Sequence, residues 1–300
     1  MFDRTEITMR RRPLLVGCSL FAVVLVVFGI LFLVVARGKK GGAAHFMGGK
    51  YVAVVPVEGI ITGSREVVEQ LDDFRKDEDV RAVVVRIDSP GGAVGPSQEI
   101  YQAVRRVDSE KPVVSSMGAV AASGGYYVAI GGRKIVANPG TLTGSIGVII
   151  EFTNVEGVLE WAKIRQEVIK SGKFKDIGSP FRQLTDEERN LIQGLIDDVY
   201  GQFVQTVTER RKLDKNKVEK LANGMIYSGQ QARESGLVDE LGDLHKAVEM
   251  AGKLGKISGE PEVIYPPKPG KLRDLFGDAS AFINKLSGFS NIRIMYLWRM

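Results

Sequence analysis

The stretch KPVVSSMGAVAASGGYYVAIGG, Lys111 to Gly132, opens as an apolar strand and closes as a helix. Between the two lies a run of Gly and Ala around one hydroxyl, Ser123, followed by Gly124, Gly125 and two tyrosines. So many bare positions suit either a flexible linker or a backbone that another molecule must approach closely. The surrounding sequence decides between them. YVAVVPVEGII from Tyr51 and RAVVVRIDSPGG from Arg81 are two more apolar strands. Between them SREVVEQLDDFRKD places Val67, Val68, Leu71 and Phe74 at helical spacing. SQEIYQAVRRVDSE is a further helix, for which Ser97 is the expected N-cap. RKIVANPGTLTGSIGVII adds one strand or two. Continuous apolar strands alternating with helices predict parallel pairing in a layered α/β domain.

Downstream, VEGVLEWAKI reads as helix and QEVIKSG as strand. A long amphipathic helix follows in TDEERNLIQGLIDDVYGQFVQTVTERR, where Thr185 and Glu188 match a capping box. NGMIYSGQQARESGLVDELG gives a strand, a helix and a turn, and DLHKAVEMAGK a last helix. Past Gly259 the chain turns Pro-rich and ends in SNIRIMYLWRM. That apolar tail, Ile292 to Trp298, suits a subunit-packing strand, a membrane-surface contact or a self-inhibitory peptide in a neighbour's cleft; packing is the plainest of the three.

At the other end, Pro13 to Ala36 is uncharged and rich in Val, Leu and Phe, with no polar face. As a helix it spans roughly 30 Å, the thickness of a hydrocarbon core. A cleaved leader would have a shorter apolar region and a small-residue cleavage site, and neither is present. The LVGC at Leu15 to Cys18 stands at the front of the apolar run, where a lipoprotein site cannot be. Residues 13–36 are therefore expected to be a transmembrane helix, with 1–12 a cytoplasmic tail and 37–50 a flexible tether. Residues 51–258 form the main domain and 259–300 a C-terminal extension. Basic residues flank the apolar run on both sides, and the Arg10–Arg12 cluster tips the expected topology toward tail inside and domain outside.

Composition narrows the function classes. A formal charge of +5, with 41 basic and 36 acidic residues interleaved, lacks the dense basic stripe of a nucleic-acid surface. Two histidines and one cysteine leave nothing for a Cys/His zinc site or a disulfide framework. No phosphate-binding glycine motif precedes a helix, so no nucleotide cofactor is expected. What remains is the glycine turns. DSPGG, Asp88 to Gly92, closes a buried strand. Alone it reads as a tight turn or as backbone N–H groups facing a ligand. Ser123 is either an ordinary helix N-cap or a nucleophile whose following N–H points at a developing oxyanion. A serine nucleophile needs a base, yet His45 lies in the tether and His245 in a charged helix. Lysine is the alternative, provided it works neutral, which asks for a depression of roughly three units from about 10.4. SGKFKDIGSP offers Lys173 and Lys175, and spacing prefers neither.

DSPGG, MGAVAASGGYYVA, NPGTLTGSIGV, IKSGKFKDIGSP and the GLVDELG turn, in that order, resemble the signal peptide peptidase A family. These are membrane-anchored bacterial Ser/Lys proteases of the ClpP/crotonase fold, built of repeated β-β-α units. The likeness runs from about Tyr51 to Gly255. It implies Ser123 as nucleophile, Lys175 as general base and Ser145 as the hydroxyl holding the lysine amine. Gly92 and Gly124 are implied as oxyanion donors, with no metal or other cofactor. It further implies cleaved signal peptides and other extended apolar peptides as substrates. The short form of the family forms homo-oligomeric, commonly octameric, rings in the bacterial inner membrane, with the catalytic domain on the extracytoplasmic side. Two enzyme rivals stand beside it: a related membrane serine protease acting on other membrane proteins, and a crotonase-type acyl-CoA enzyme. A non-catalytic scaffold on the same fold is a third.

Overall fold

The computed structural model describes Leu25, Val26, Gly29, residues 50–267 and residues 295–297. The expected transmembrane segment 13–36 lies outside the described residues, except that Leu25, Val26 and Gly29 are helical. Among the described residues no helix is long and apolar enough to cross a membrane. The chain divides at Gly48/Gly49, and everything below concerns the second unit.

That unit begins with β1 (Tyr51–Glu58), α1 (Arg65–Lys76), β2 (Val80–Ser89), β3 (Gly91–Ala93) and α2 (Val94–Glu110). Next come β4 (Val113–Ala122), α3 (Gly124–Ala129), β5 (Lys134–Ala137), β6 (Leu142–Gly144) and α4 (Glu156–Trp161). The rest is α5 (Asp186–Arg211), α6 (Lys215–Leu221), β7 (Ile226–Ser228), α7 (Gly229–Ser235), β8 (Glu240–Leu241), α8 (Leu244–Leu254), β9 (Glu262–Ile264) and β10 (Met295–Leu297).

The central sheet runs β7-β6-β4-β2-β1-β9, with β5 beside β4 and β8 beside β5. Pairing is parallel throughout except between β6 and β7. This is the expected α/β layering, and its cause is visible in the strands. Side chains alternate between faces, and here both faces are covered. Ala53, Val55, Val83, Val85 and Ile87 pack with Leu71 of α1, Ile100 and Val104 of α2 and Phe203 of α5. Val52, Val54, Ala82, Val84 and Val114 pack with Ala247, Val248 and Ala251 of α8. Each such aliphatic side chain taken out of water contributes about 1.5–3 kcal/mol before chain entropy is charged against it.

Strand β4 is the element that positions the site. Its first half, Val114 to Met117, pairs with β5, and its second half, Val120 to Ala122, with β6. Its register against β2 shifts between Ile87 and Ser89. Asp88 sits at this break and its carboxylate accepts the Val120 N–H at 3.0 Å. A Cβ at Gly118 would come within 2.9 Å of that carboxyl carbon, so only glycine lets the two strands close here. The kink carries the chain directly into Ser123.

Two expected details differ. Ser97 does not cap α2, which already starts at Val94 with Ala93 as its N-cap. The extended segment Gly91–Ala93 ends one turn earlier than Ser97, and Pro96 fits the first turn, where its missing N–H costs nothing. QEVIKSG is not a strand: residues 166–172 are irregular because no neighbouring strand offers them a ladder. The capping box is present, with Glu188 N–H bonded to Thr185 Oγ1 at 3.2 Å and Thr185 N–H to Glu188 Oε2 at 2.9 Å.

Candidate active site

Four of the five expected site residues converge where β3, β4 and β6 end. Ser123 occupies the N-cap position of α3, yet its side chain makes no capping bond and it is 1% exposed. Its backbone is at φ 53°, ψ −115°, a conformation an L-residue adopts only under constraint. The constraint comes from both sides. Ser123 N–H donates to the Gly144 carbonyl at 2.8 Å, and Tyr127 N–H donates to the Ser123 carbonyl at 2.8 Å. The ordinary capping role of Ser123 is thus excluded by geometry. The two tyrosines of the opening stretch fix α3 beneath it: Tyr126 Oη donates to the Leu237 carbonyl at 3.0 Å, and Tyr127 Oη meets Thr206 Oγ1 at 3.2 Å. Burial holds the Tyr126 phenol well above its ordinary pKa, so it stays a neutral donor.

The glycine turn after β2 lies against this junction. Ser89 Oγ donates to the Gly59 carbonyl at 2.6 Å and accepts the Gly91 N–H at 3.1 Å, which turns the chain at Pro90. Gly91 has φ +101°, and a Cβ there would lie 2.7 Å from the Gly124 nitrogen. A Cβ on Gly124 would in turn meet Ser97 Oγ at 2.6 Å and the Gly92 nitrogen at 3.1 Å. The two glycine backbones therefore touch, and nothing larger fits. Gly91 carbonyl and Ala93 N–H both bond Ile61, at 2.9 and 2.8 Å. Strand alternation then aims the N–H and carbonyl of Gly92 at the opposite edge, toward the cleft.

Ser145 stands one residue beyond the Gly144 carbonyl that holds Ser123. It is nearly buried, with φ 47°, and its N–H donates to the Met225 carbonyl at 2.7 Å. Lys175 is not brought to this cluster. Its side chain is exposed, and among the described residues it has no ion pair and no hydrogen bond to Ser123 or Ser145. Its neighbour Lys173 pairs with Glu187 at the start of α5, which distinguishes two lysines that spacing could not.

Lys175 sits on an arm in which no residue from 151 to 187 is buried. Trp161 is 85% and Ile169 95% exposed there. Its C-terminal end is tied to the capping box of α5 by charge. Arg182 bonds Asp176 Oδ2 at 3.0 Å and Glu188 at 2.8 and 2.5 Å, and Lys170 also pairs with Asp176. Bonds from Arg182 first and Lys170 second hold Asp176 well below the usual carboxylate range. Arg182, then the Thr185 N–H, hold Glu188 down to about 2. Because both folded values lie below unfolded values near 4, the tie is at full strength above about pH 4.5 and fades as pH falls toward 2. Hydrogen exchange across residues 170–188 should accordingly stay slow from pH 7 to about 4.5 and quicken below it. Exchange that quickens instead on going above neutrality contradicts the tie.

Three features of the site carried no sequence signal that singled them out. Asp88 acts as the lock on the β4 kink, and Ser97 as the wedge under Gly124. The third is β10. Its residues pair antiparallel with β3, Tyr296 opposite Gly92, so the tail's packing partner is the glycine turn itself. The alternation Ile292, Ile294, Tyr296, Trp298 is the trace a strand leaves in sequence.

Comparison with known proteins bears on the same residues. The model of peptidase family S49 matches residues 105–258, and that of the Clp protease family residues 58–141; Ser123 lies in both. A Synechocystis sp. relative named as a protease is 44% identical over 234 residues, which are 77% of this chain and 84% of that one. One of Methanocaldococcus jannaschii, also named as a protease, is 39% identical over 67% of this chain and 64% of its own. One of Enterococcus faecium, named for signal peptide peptidase SppA, is 35% identical over 75% of this chain and 64% of its own. The chain thus spans under two thirds of the latter two relatives. The Clp match and the parallel layered sheet agree on a ClpP-like α/β fold.

Proposed function

The chain belongs to peptidase family S49 and is a serine protease, and from that premise we propose that Ser123 is its nucleophile and Lys175 its general base. Ser145 orients the lysine amine, and the N–H groups of Gly92 and Gly124 hold the oxyanion. The observation that carries the proposal is the conformation of Ser123: forced to positive φ, stripped of a capping role, and set where two glycine backbones meet. In the first step the neutral amine of Lys175 takes the Ser123 Oγ proton as Oγ bonds to the substrate carbonyl carbon. The carbonyl π electrons move to oxygen and are stabilised by the two N–H groups. Collapse of the tetrahedral adduct breaks the C–N bond, and the Lys175 ammonium returns its proton to the leaving amine. Water, deprotonated by the same amine, then releases the acid and regenerates Ser123.

The exposed arm bearing Lys175 supports a site completed between subunits of a homo-oligomeric ring. Trp161, Ile164, Ile169 and Phe181 are apolar surface suited to a second copy of the chain. The open edge of β3 suits an extended peptide, bound by strand addition. Together with the name of the Enterococcus faecium relative, this supports signal-peptide remnants and similar apolar peptides as substrates. The apolar segment 13–36 supports a single-pass membrane anchor that places the protease domain outside the cytoplasm. A crotonase-type reaction is disfavoured, since it would leave the placement of Ser123 without a use.

Mixing tests the shared site. Ser123→Ala and Lys175→Ala chains, each inactive alone, should regain activity when co-assembled. About one quarter of sites in an equal mixture would then join an intact serine to an intact lysine across an interface. No recovery in assemblies shown to contain both variants contradicts a site shared between subunits.

A further inference from the structure

We infer that the cavity holding Tyr296 is the pocket for the residue whose carbonyl is attacked, and that it selects a large aromatic side chain, tyrosine above all. The inference rests on the proteolytic reading above and names its substrate preference. The main chain comes first. Tyr296 pairs with Gly92, and its carbonyl oxygen lies 2.2 Å from where a Cβ on Gly91 would be and 3.2 Å from one on Gly124. This is where a peptide carbonyl must lie to be polarised by the turn and reached from Ser123. On its other edge the strand is held by Ile149, with Met295 N–H to the Ile149 carbonyl at 3.3 Å and Ile149 N–H to the Met295 carbonyl at 3.2 Å. The tail segment therefore lies between two backbone edges in the extended form a substrate would take.

The side chain of the residue that owns this carbonyl is enclosed. Tyr296 is 0% exposed, whereas Met295 and Leu297 on either side are half-buried, so recognition is concentrated at one position. Its ring stacks on Tyr127 with centroids 5.3 Å apart and an angle of 20°, and meets Phe203 at 4.6 Å. Tyr101 closes on Tyr127 edge-on at 5.1 Å. At the far end the hydroxyl donates to the Val199 carbonyl at 3.3 Å, and the Gln98 side chain lies against it. A box of aromatic faces with two polar groups at its end fits tyrosine. Phenylalanine fills the box without using its end, alanine leaves most of it empty, and a lysine or carboxylate would lose its water with no opposite charge to meet. Gln98, Tyr127 and Phe203 are accordingly the specificity-determining residues.

The test uses the full-length parent protein and a series of otherwise identical extended peptides carrying Tyr, Phe, Leu, Ala or Lys at one position, with kcat/KM and the cut bond both read. Cleavage is expected directly after the varied residue. Tyrosine should exceed alanine by about tenfold or more and phenylalanine by roughly threefold, with lysine uncut. Gln98→Leu should bring the Tyr/Phe ratio toward one. Cleavage that needs Ser123 but favours alanine or leucine, ignores the varied residue, or falls at another bond overturns the pocket and leaves the protease chemistry standing. Cleavage undiminished in Ser123→Ala, or no cleavage of any peptide, overturns the chemistry and the pocket together.

Discussion

Replacing Ser123 by alanine should lower kcat/KM for peptide hydrolysis by about 10⁴-fold or more while leaving the fold intact. The loss follows from removing the only atom that can bond to the substrate carbon. The intact fold follows from the local structure. Ser123 is held through its backbone, by the Gly144 carbonyl and the Tyr127 N–H, and its side chain makes no capping bond. Alanine keeps the same Cβ at the same φ of 53°, so the strain is unchanged. Stability by denaturant or heat should therefore shift by less than about 1 kcal/mol. Peptide cleavage that survives in this variant, confirmed free of parent enzyme, removes Ser123 from the chemistry.

Lys175 should be nearly as sensitive, and in a more diagnostic way. Lys175→Ala is expected to cost about 10³- to 10⁴-fold, mainly in kcat, because the base acts on the bond-making step. Lys175→Arg should be no better. A guanidinium keeps the charge and much of the reach but does not give up its proton, so it cannot take one from Ser123. A lysine that merely held a substrate carboxylate would be partly rescued by arginine. Lys173→Ala is the matching comparison: its ion pair with Glu187 is exposed, and its loss should change kcat little. Partial rescue by Lys175→Arg, or a greater loss at Lys173 than at Lys175, contradicts the assignment.

The sequence carried the layered fold clearly, because strands such as YVAVVPV and AVVVRI are apolar at every position and only a sheet covered on both faces can bury them. It carried the Thr185–Glu188 cap for an equally local reason. It also placed Ser123 at a strand-to-helix junction. It could not show that Ser123 declines the capping role, since that depends on a φ imposed by Gly144, twenty-one residues away in the chain and adjacent in space. Asp88 and Ser97 were illegible as site-shaping residues for the same reason: each matters through one contact made across strands, at Val120 N–H and at Gly124. QEVIKSG had the composition of a strand but no partner to pair with, and composition does not supply one. The two lysines of SGKFKDIGSP looked alike until the long helix brought Glu187 to Lys173 and left Lys175 exposed.

Labelling of the full-length protein with a serine-reactive peptidyl phosphonate, followed by mass-spectrometric mapping, tests the central claim most directly. A single adduct on Ser123, formed far more slowly in Lys175→Ala, is the predicted result. An adduct on Ser97 or Ser145 instead, or peptide hydrolysis that continues with Ser123 unlabelled under saturating probe, would contradict it.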